Sequence, residues 1–195
     1  MPIVLPSKVF GAGAPSNRIT MGMVGMGLQM GGHFRSMLGR DDVQVLAVCD
    51  VYHSRREEAK AEVEKTYAGA SASGTYKGCQ AYLEYEELCA RPYIDAVFVC
   101  TPDHWHAAVA LAAFRSGKDV YCEKPMGHWS QTGLSKQFYQ ETQKLKRVVQ
   151  IGNQTNSSPE WAKVGELLKK GAIGQVQHVQ AGFYRDGDWG ERMPI

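Results

Sequence analysis

The sequence has no long hydrophobic run, no paired-cysteine motif and no strong excess of charge of either sign. No apolar stretch approaches the roughly 18 residues that a membrane-spanning helix needs. The opening segment MPIVLPSKVFGAGAPSNR also lacks the charged n-region and sustained apolar h-region of a signal peptide. As written, the chain is expected to be soluble and cytoplasmic, with no membrane partner. The formal net charge is +2, and the 22 Lys and Arg residues are dispersed along the chain, which gives no electrostatic argument for nucleic acid. The five cysteines, Cys49, Cys79, Cys89, Cys100 and Cys122, are odd in number and lack CxxC or metal-ligand spacing. They are expected to be small buried hydrophobes, with no disulfide framework and no metal.

What is present is the composition of an ordinary globular chain: 195 residues, 44% hydrophobic and 22% charged, enough for one good core and the start of a second domain. Residues 1–17 are rich in Pro, Gly and Ala without periodicity and are expected to form an extended arm. From Arg18 onward, short apolar runs alternate with helical patterns: ITMGMVG, VQVLAVCD, IDAVFVC, DVYCEK and RVVQIG. Near-continuous runs of this length suit parallel strands buried on both faces. The segment Tyr76 to Tyr82 supplies a short edge strand, completing a doubly wound α/β sheet of order 3-2-1-4-5-6 over residues 18–152. Residues 153–195 read as the beginning of an incomplete second α/β domain. There, SSPEWAKVGELLKKG has a Ser-Pro helix start and a terminal Gly, and Gln175 to Arg185 alternates like a half-exposed strand. A single strand cannot satisfy its own ladder, so the chain is expected to be cut short.

The stretch GMGLQMGGH follows the first strand and opens a helix, the context of a dinucleotide fingerprint. Gly25 permits the tight turn, and Gly27 lets the backbone approach a pyrophosphate at the helix N-terminus, where Leu28 and Gln29 follow. The third fingerprint position is Met30, and a glycine-rich turn without a ligand is the alternative. Asp50 ends the second strand 23 residues after Gly27, where a carboxylate can accept hydrogen bonds from ribose hydroxyls; it can also cap the helix near Ser54. An acid here favours NAD, while Arg55 and Arg56 leave NADP open.

The third run ends in CTPDHWH, with Thr101 and Pro102 at the carboxyl end of a parallel strand and Asp103 able to cap the next helix. His106 is expected at the cofactor edge, with a solvated or capping histidine as the alternative. The fourth run ends in Glu123, Lys124 and Pro125, which the fold carries to the same crevice. Pro125 biases Lys124 towards an extended conformation and aims it. Partial desolvation would tune the amine as a general base. A surface ion pair of Lys124 with Glu123 fits poorly, because adjacent strand residues face opposite ways.

With GMG plus Asp50, CTPDHWH and EKP in this order, the chain from about Arg18 to its end resembles the Gfo/Idh/MocA family, the glucose-fructose oxidoreductase and inositol dehydrogenase group. The resemblance implies a two-domain enzyme whose second, open-sheeted domain carries substrate contacts and often the oligomer interface, so a homo-oligomer is expected at full length. It implies that Lys124 is the catalytic lysine near the nicotinamide and the reacting hydroxyl. Glu123 and Pro125 would line the cofactor, and Asn153 would lie at the passage into the second domain. It implies an NAD(P)-dependent hydride transfer involving a sugar, cyclitol or related polyol. The alternatives are an NAD-dependent glycosidase acting by transient oxidation and elimination, and an inactive nucleotide-binding fragment. The arm also resembles the segment after a twin-arginine leader in exported members, which leaves a periplasmic location open.

Overall fold

The computed structural model describes residues 17–69 and 76–182; the arm expected over residues 1–17 lies, Asn17 aside, outside them. Six strands form one parallel sheet: β1 (Ile19–Val24), β2 (Val43–Cys49), β3 (Gln80–Tyr82), β4 (Ala96–Val99), β5 (Asp119–Glu123) and β6 (Val149–Gly152). Their order is β3-β2-β1-β4-β5-β6, as the sequence leads one to expect. The register of β1 against β2 slips between Met21 and Gly22. β3 is shorter than the expected 76–82 strand: Tyr76 and Cys79 are buried in the core ahead of it without pairing.

Why the central runs become strands is clear from their burial. Val45, Ala47 and Val48 of β2, and Val97 and Val99 of β4, are fully buried, so successive residues pointing to opposite faces all meet apolar cover. On one face lie α1 (Leu28–Leu38) and α2 (His53–Thr66). Met30, Phe34 and Leu38 from α1, with Ala59 and Val63 from α2, pack there with Met21, Met23, Val45 and Phe98. The i, i+4 spacing of those residues puts them on one helix stripe. On the other face lie α3 (Tyr85–Cys89), α4 (Asp103–Arg115) and α5 (Thr132–Leu145). α4 is buried along most of its length, with Phe114 set against Phe138 of α5 at a ring separation of 5.2 Å.

Strand order reverses between β1 and β4, which opens a crevice at the carboxyl ends of the strands. Among the described residues, no helix is long and apolar enough to cross a membrane. The chain divides into two compact units, 1–153 and 154–195. In the second, Ser158 caps α6 (Pro159–Lys169), its Oγ accepting from Trp161 N at 3.4 Å. The strand expected from Gln175 to Arg185 is not formed over 175–182; residues 183–185 lie outside the described residues.

Candidate functional site: the crevice at the carboxyl ends of β1, β4 and β5

β1 ends at Val24, and the chain turns through Gly25 at φ +87°. A Cβ at Gly25 would stand 2.6 Å from Cys100 O and 2.8 Å from Thr101 N, so glycine is required both by the backbone angle and by the closeness of the turn after β4. Gly27 is the N-cap of α1 and supplies no side-chain cap, leaving the first-turn N–H groups of the helix to other partners. Leu28 is 75% exposed and Gln29 is also exposed. Met30, at the third fingerprint position, is fully buried, its thioether filling the helix–sheet interface that a third glycine would have narrowed.

Asp50 follows β2 and is almost fully buried. Its Oδ2 accepts from Met26 N at 2.7 Å and its Oδ1 from Tyr52 N at 2.8 Å. The carboxylate therefore braces the glycine turn and the start of α2 together, while each oxygen keeps a lone pair for a ribose hydroxyl. The N-cap of α2 is Tyr52, whose amide donates to the Asp50 carboxylate. Arg56 is committed within the chain, donating to Asp50 O at 2.7 Å. Arg55 lies 4.4 Å over the Tyr52 ring and lines a 260 Å³ cleft with Asp50, Leu83, Tyr85, Pro102 and Trp105.

At the end of β4, Thr101 is half-buried and its Oγ1 is buried without a hydrogen-bond partner. Pro102, not Asp103, is the N-cap of α4; Asp103 sits in its first turn. His106, expected at the cofactor edge, is instead 2% exposed. Its Nδ1 is 2.6 Å from Pro125 O and its Nε2 2.8 Å from Thr101 O. The ring is buried between the turns that follow β4 and β5.

At the end of β5, Glu123 is 4% exposed. Its Oε1 lies 3.0 Å from His33 Nε2, and its Oε2 accepts from Lys124 N at 3.2 Å. No Glu123–Lys124 side-chain ion pair forms, as the strand geometry implied. Lys124 and Pro125 are exposed, and the peptide between them is cis. The desolvation expected at Lys124 is thus not supplied by the described residues. Asn153, exposed after β6, donates its amide to Ile151 O at 3.0 Å.

The residues unread from sequence are His33 and Trp105. His33 lies on the buried side of α1, three positions after Met30 and one before Phe34, and that spacing was the available signal. All five cysteines are buried. Burial pushes the thiols of Cys49, Cys79, Cys89, Cys100 and Cys122 up to about 12, so they are held protonated and inert. Among the described residues, no group of three His, Cys, Asp or Glu side chains could hold a metal ion.

A doubly wound parallel sheet whose glycine turn, terminal acid and strand-end turns meet at the switch point is a dinucleotide-binding domain. Its residues fit such a cofactor on three counts: no Cβ at the Gly25 turn, an uncapped first turn of α1, and an unpartnered Thr101 Oγ1. Residues 19–153 match the model of the oxidoreductase family with an NAD-binding Rossmann fold. The chain belongs to this family, Gfo/Idh/MocA. It is 29% identical over 185 residues to a glycosyl hydrolase family 109 protein of Stenotrophomonas maltophilia, covering 90% of this chain and 38% of that protein. It superposes on myo-inositol 2-dehydrogenase from Lactobacillus plantarum with a TM-score of 0.66 at 20% identity, covering 82% of this chain and 43% of that one. It superposes on KijD10, a 3-ketoreductase from Actinomadura kijaniata in complex with NADP, with a TM-score of 0.64 at 20% identity, covering 82% and 46%. The chain therefore spans less than half the length of these proteins.

Proposed function

We propose that this chain is the cofactor-binding and proton-transfer part of an NAD(P)-dependent oxidoreductase acting on a hydroxyl of a sugar, cyclitol or related polyol. The observation that carries this reading is Lys124. It is exposed at the carboxyl end of β5 with no ion-pair partner among the described residues, beside the strand whose end holds Thr101 and Pro102. The Gly25 turn and the first turn of α1 would receive the pyrophosphate, Asp50 the ribose hydroxyls, and the cleft beside Leu83, Tyr85 and Trp105 the base. When bound, nicotinamide supplies the hydride chemistry. The neutral amine of Lys124 accepts the hydroxyl proton in the oxidative direction, and its ammonium returns it in the reductive one. NAD is the preferred cofactor, because the Asp50 carboxylate would accept from the ribose hydroxyls and repel a 2′-phosphate. Arg55, free of ion pairs among the described residues, lets NADP enter.

The relative named for glycosyl hydrolase family 109, matched over 90% of this chain, favours a second reading: net glycoside cleavage through a transient oxidation, with Lys124 in the same proton-transfer role. Substrate screening separates the two. Polyol-dependent NADH formation at 340 nm supports the dehydrogenase, and release of a chromogenic aglycone without added NAD supports the glycosidase. The Gfo/Idh/MocA members are also expected to assemble as homo-oligomers at full length, which light scattering of the gene product tests.

A further inference from the structure

We propose that His33 and His106 are positioning residues for Lys124, each fixing one of the two residues that flank it. The inference rests on the reading of Lys124 as the group at the reactive end of the crevice. An exposed lysine carries four flexible methylenes, so its placement depends on how firmly its backbone is held. On the N-terminal side, Glu123 is held by His33 at 3.0 Å, and the second carboxylate oxygen holds the Lys124 amide itself at 3.2 Å. His33 is in turn wedged against aromatic rings, with Phe98 at 5.0 Å and Tyr121 at 6.0 Å between centroids.

On the C-terminal side, His106 faces Pro125 O at 2.6 Å and Thr101 O at 2.8 Å. Both carbonyls can only accept, so a protonated ring donates to both and a neutral ring to one. The ring thereby ties the turn after β5 to the turn after β4. The two histidines come from α1 and α4, on opposite faces of the sheet, so Lys124 is bracketed from both sides. A leucine would fill either site at less cost in desolvation. What a leucine cannot do is donate to Glu123 or to Pro125.

The test uses His33→Leu, His33→Gln, His106→Leu and His106→Gln, each with and without Lys124→Ala. Dissociation constants for NADH and for ADP-ribose are measured by calorimetry, with amide exchange of residues 123–128. ADP-ribose lacks the nicotinamide, so the ratio of the two constants reports the Lys124 end alone. Both leucine variants are expected to lower the preference for NADH about 5- to 20-fold, the worth of one or two hydrogen bonds, with ADP-ribose affected less than about twofold. His33→Gln, which keeps a donor for Glu123, restores the preference, and His106→Gln, reaching one carbonyl, restores part. In the Lys124→Ala background the leucine variants add no further loss. Equal weakening of both ligands, or a loss that persists without Lys124, overturns the proposal. If the parent binds neither ligand, the functional reading fails separately, and if Lys124→Ala leaves the ratio unchanged, Lys124 acts in turnover rather than in NADH binding. The bracket is then decided by exchange: faster at 123–128 with β1 unchanged upholds it, and unchanged rates refute it.

Discussion

Replacing Gly25 by alanine tests the geometry on which the crevice depends. The residue sits at φ +87°, where an L side chain costs about 1–2 kcal/mol. The new methyl would also lie 2.6 Å from Cys100 O, 2.7 Å from Cys100 C and 2.8 Å from Thr101 N. These are backbone atoms that cannot swing aside. Both sides of the contact are tied, Gly25 N to Cys49 O at 2.8 Å and Cys100 N to Val24 O at 2.9 Å, so relief requires moving β1 away from β4. Overpacking of this kind costs a further 1–3 kcal/mol or so, giving a total of about 2–5 kcal/mol. With a urea slope of about 2 kcal/mol/M, the unfolding midpoint should fall by about 1–2.5 M, read by far-ultraviolet circular dichroism. Gly27→Ala is the control. Its φ of −78° is open to alanine, and only Arg55 Nη1, at 4.0 Å, comes near, so stability should change by less than about 1 kcal/mol. A Gly25→Ala protein with an unchanged midpoint would refute the turn geometry.

Asp50→Ala removes the acceptor for two main-chain amides and should destabilise the fold by about 3 kcal/mol while weakening NADH more than NADPH. Arg55→Ala should weaken NADPH selectively, and fluorescence titration of both cofactors checks the pair. The Arg115 guanidinium, bonded to Glu141 at 2.9 and 2.6 Å, holds the Glu141 carboxyl below its ordinary value of 4.5. That carboxylate contributes stability above the unfolded value and loses it as pH falls through the folded one. Glu141→Gln should therefore lower stability at pH 7 by about 0.5 kcal/mol, and urea titrations at pH 7 and pH 3 should show the difference shrinking at the lower pH. Native Cys100 and Cys122, with thiols pushed up to about 12 by burial, should resist alkylation by iodoacetamide at pH 8. Mass spectrometry should find both labelled only after unfolding.

Strand order was legible because each central run is apolar on both faces, as Val45, Ala47 and Val48 show. The glycine turn was legible because its requirement is local to Gly25. His33 was not, since its partner Glu123 is 90 positions away, and only folding reveals the pair. His106 was placed at the right turn, but its burial there was not legible. Its partners are main-chain carbonyls of two loops, and backbone acceptors leave no mark in residue identity. Residues 175–182 alternate without forming a strand: alternation advertises a face, but a ladder needs a neighbour.

The proton-transfer role of Lys124 is tested most directly by the turnover of the full-length gene product carrying Lys124→Ala, set beside its affinity for NADH. Loss of a general base predicts a fall of about 10²- to 10⁴-fold in turnover with NADH binding changed far less. Lys124→Arg should not recover the rate, because a guanidinium stays protonated and cannot accept the proton. Near-parental turnover of Lys124→Ala would contradict the account and leave Lys124 a contact that only positions the cofactor.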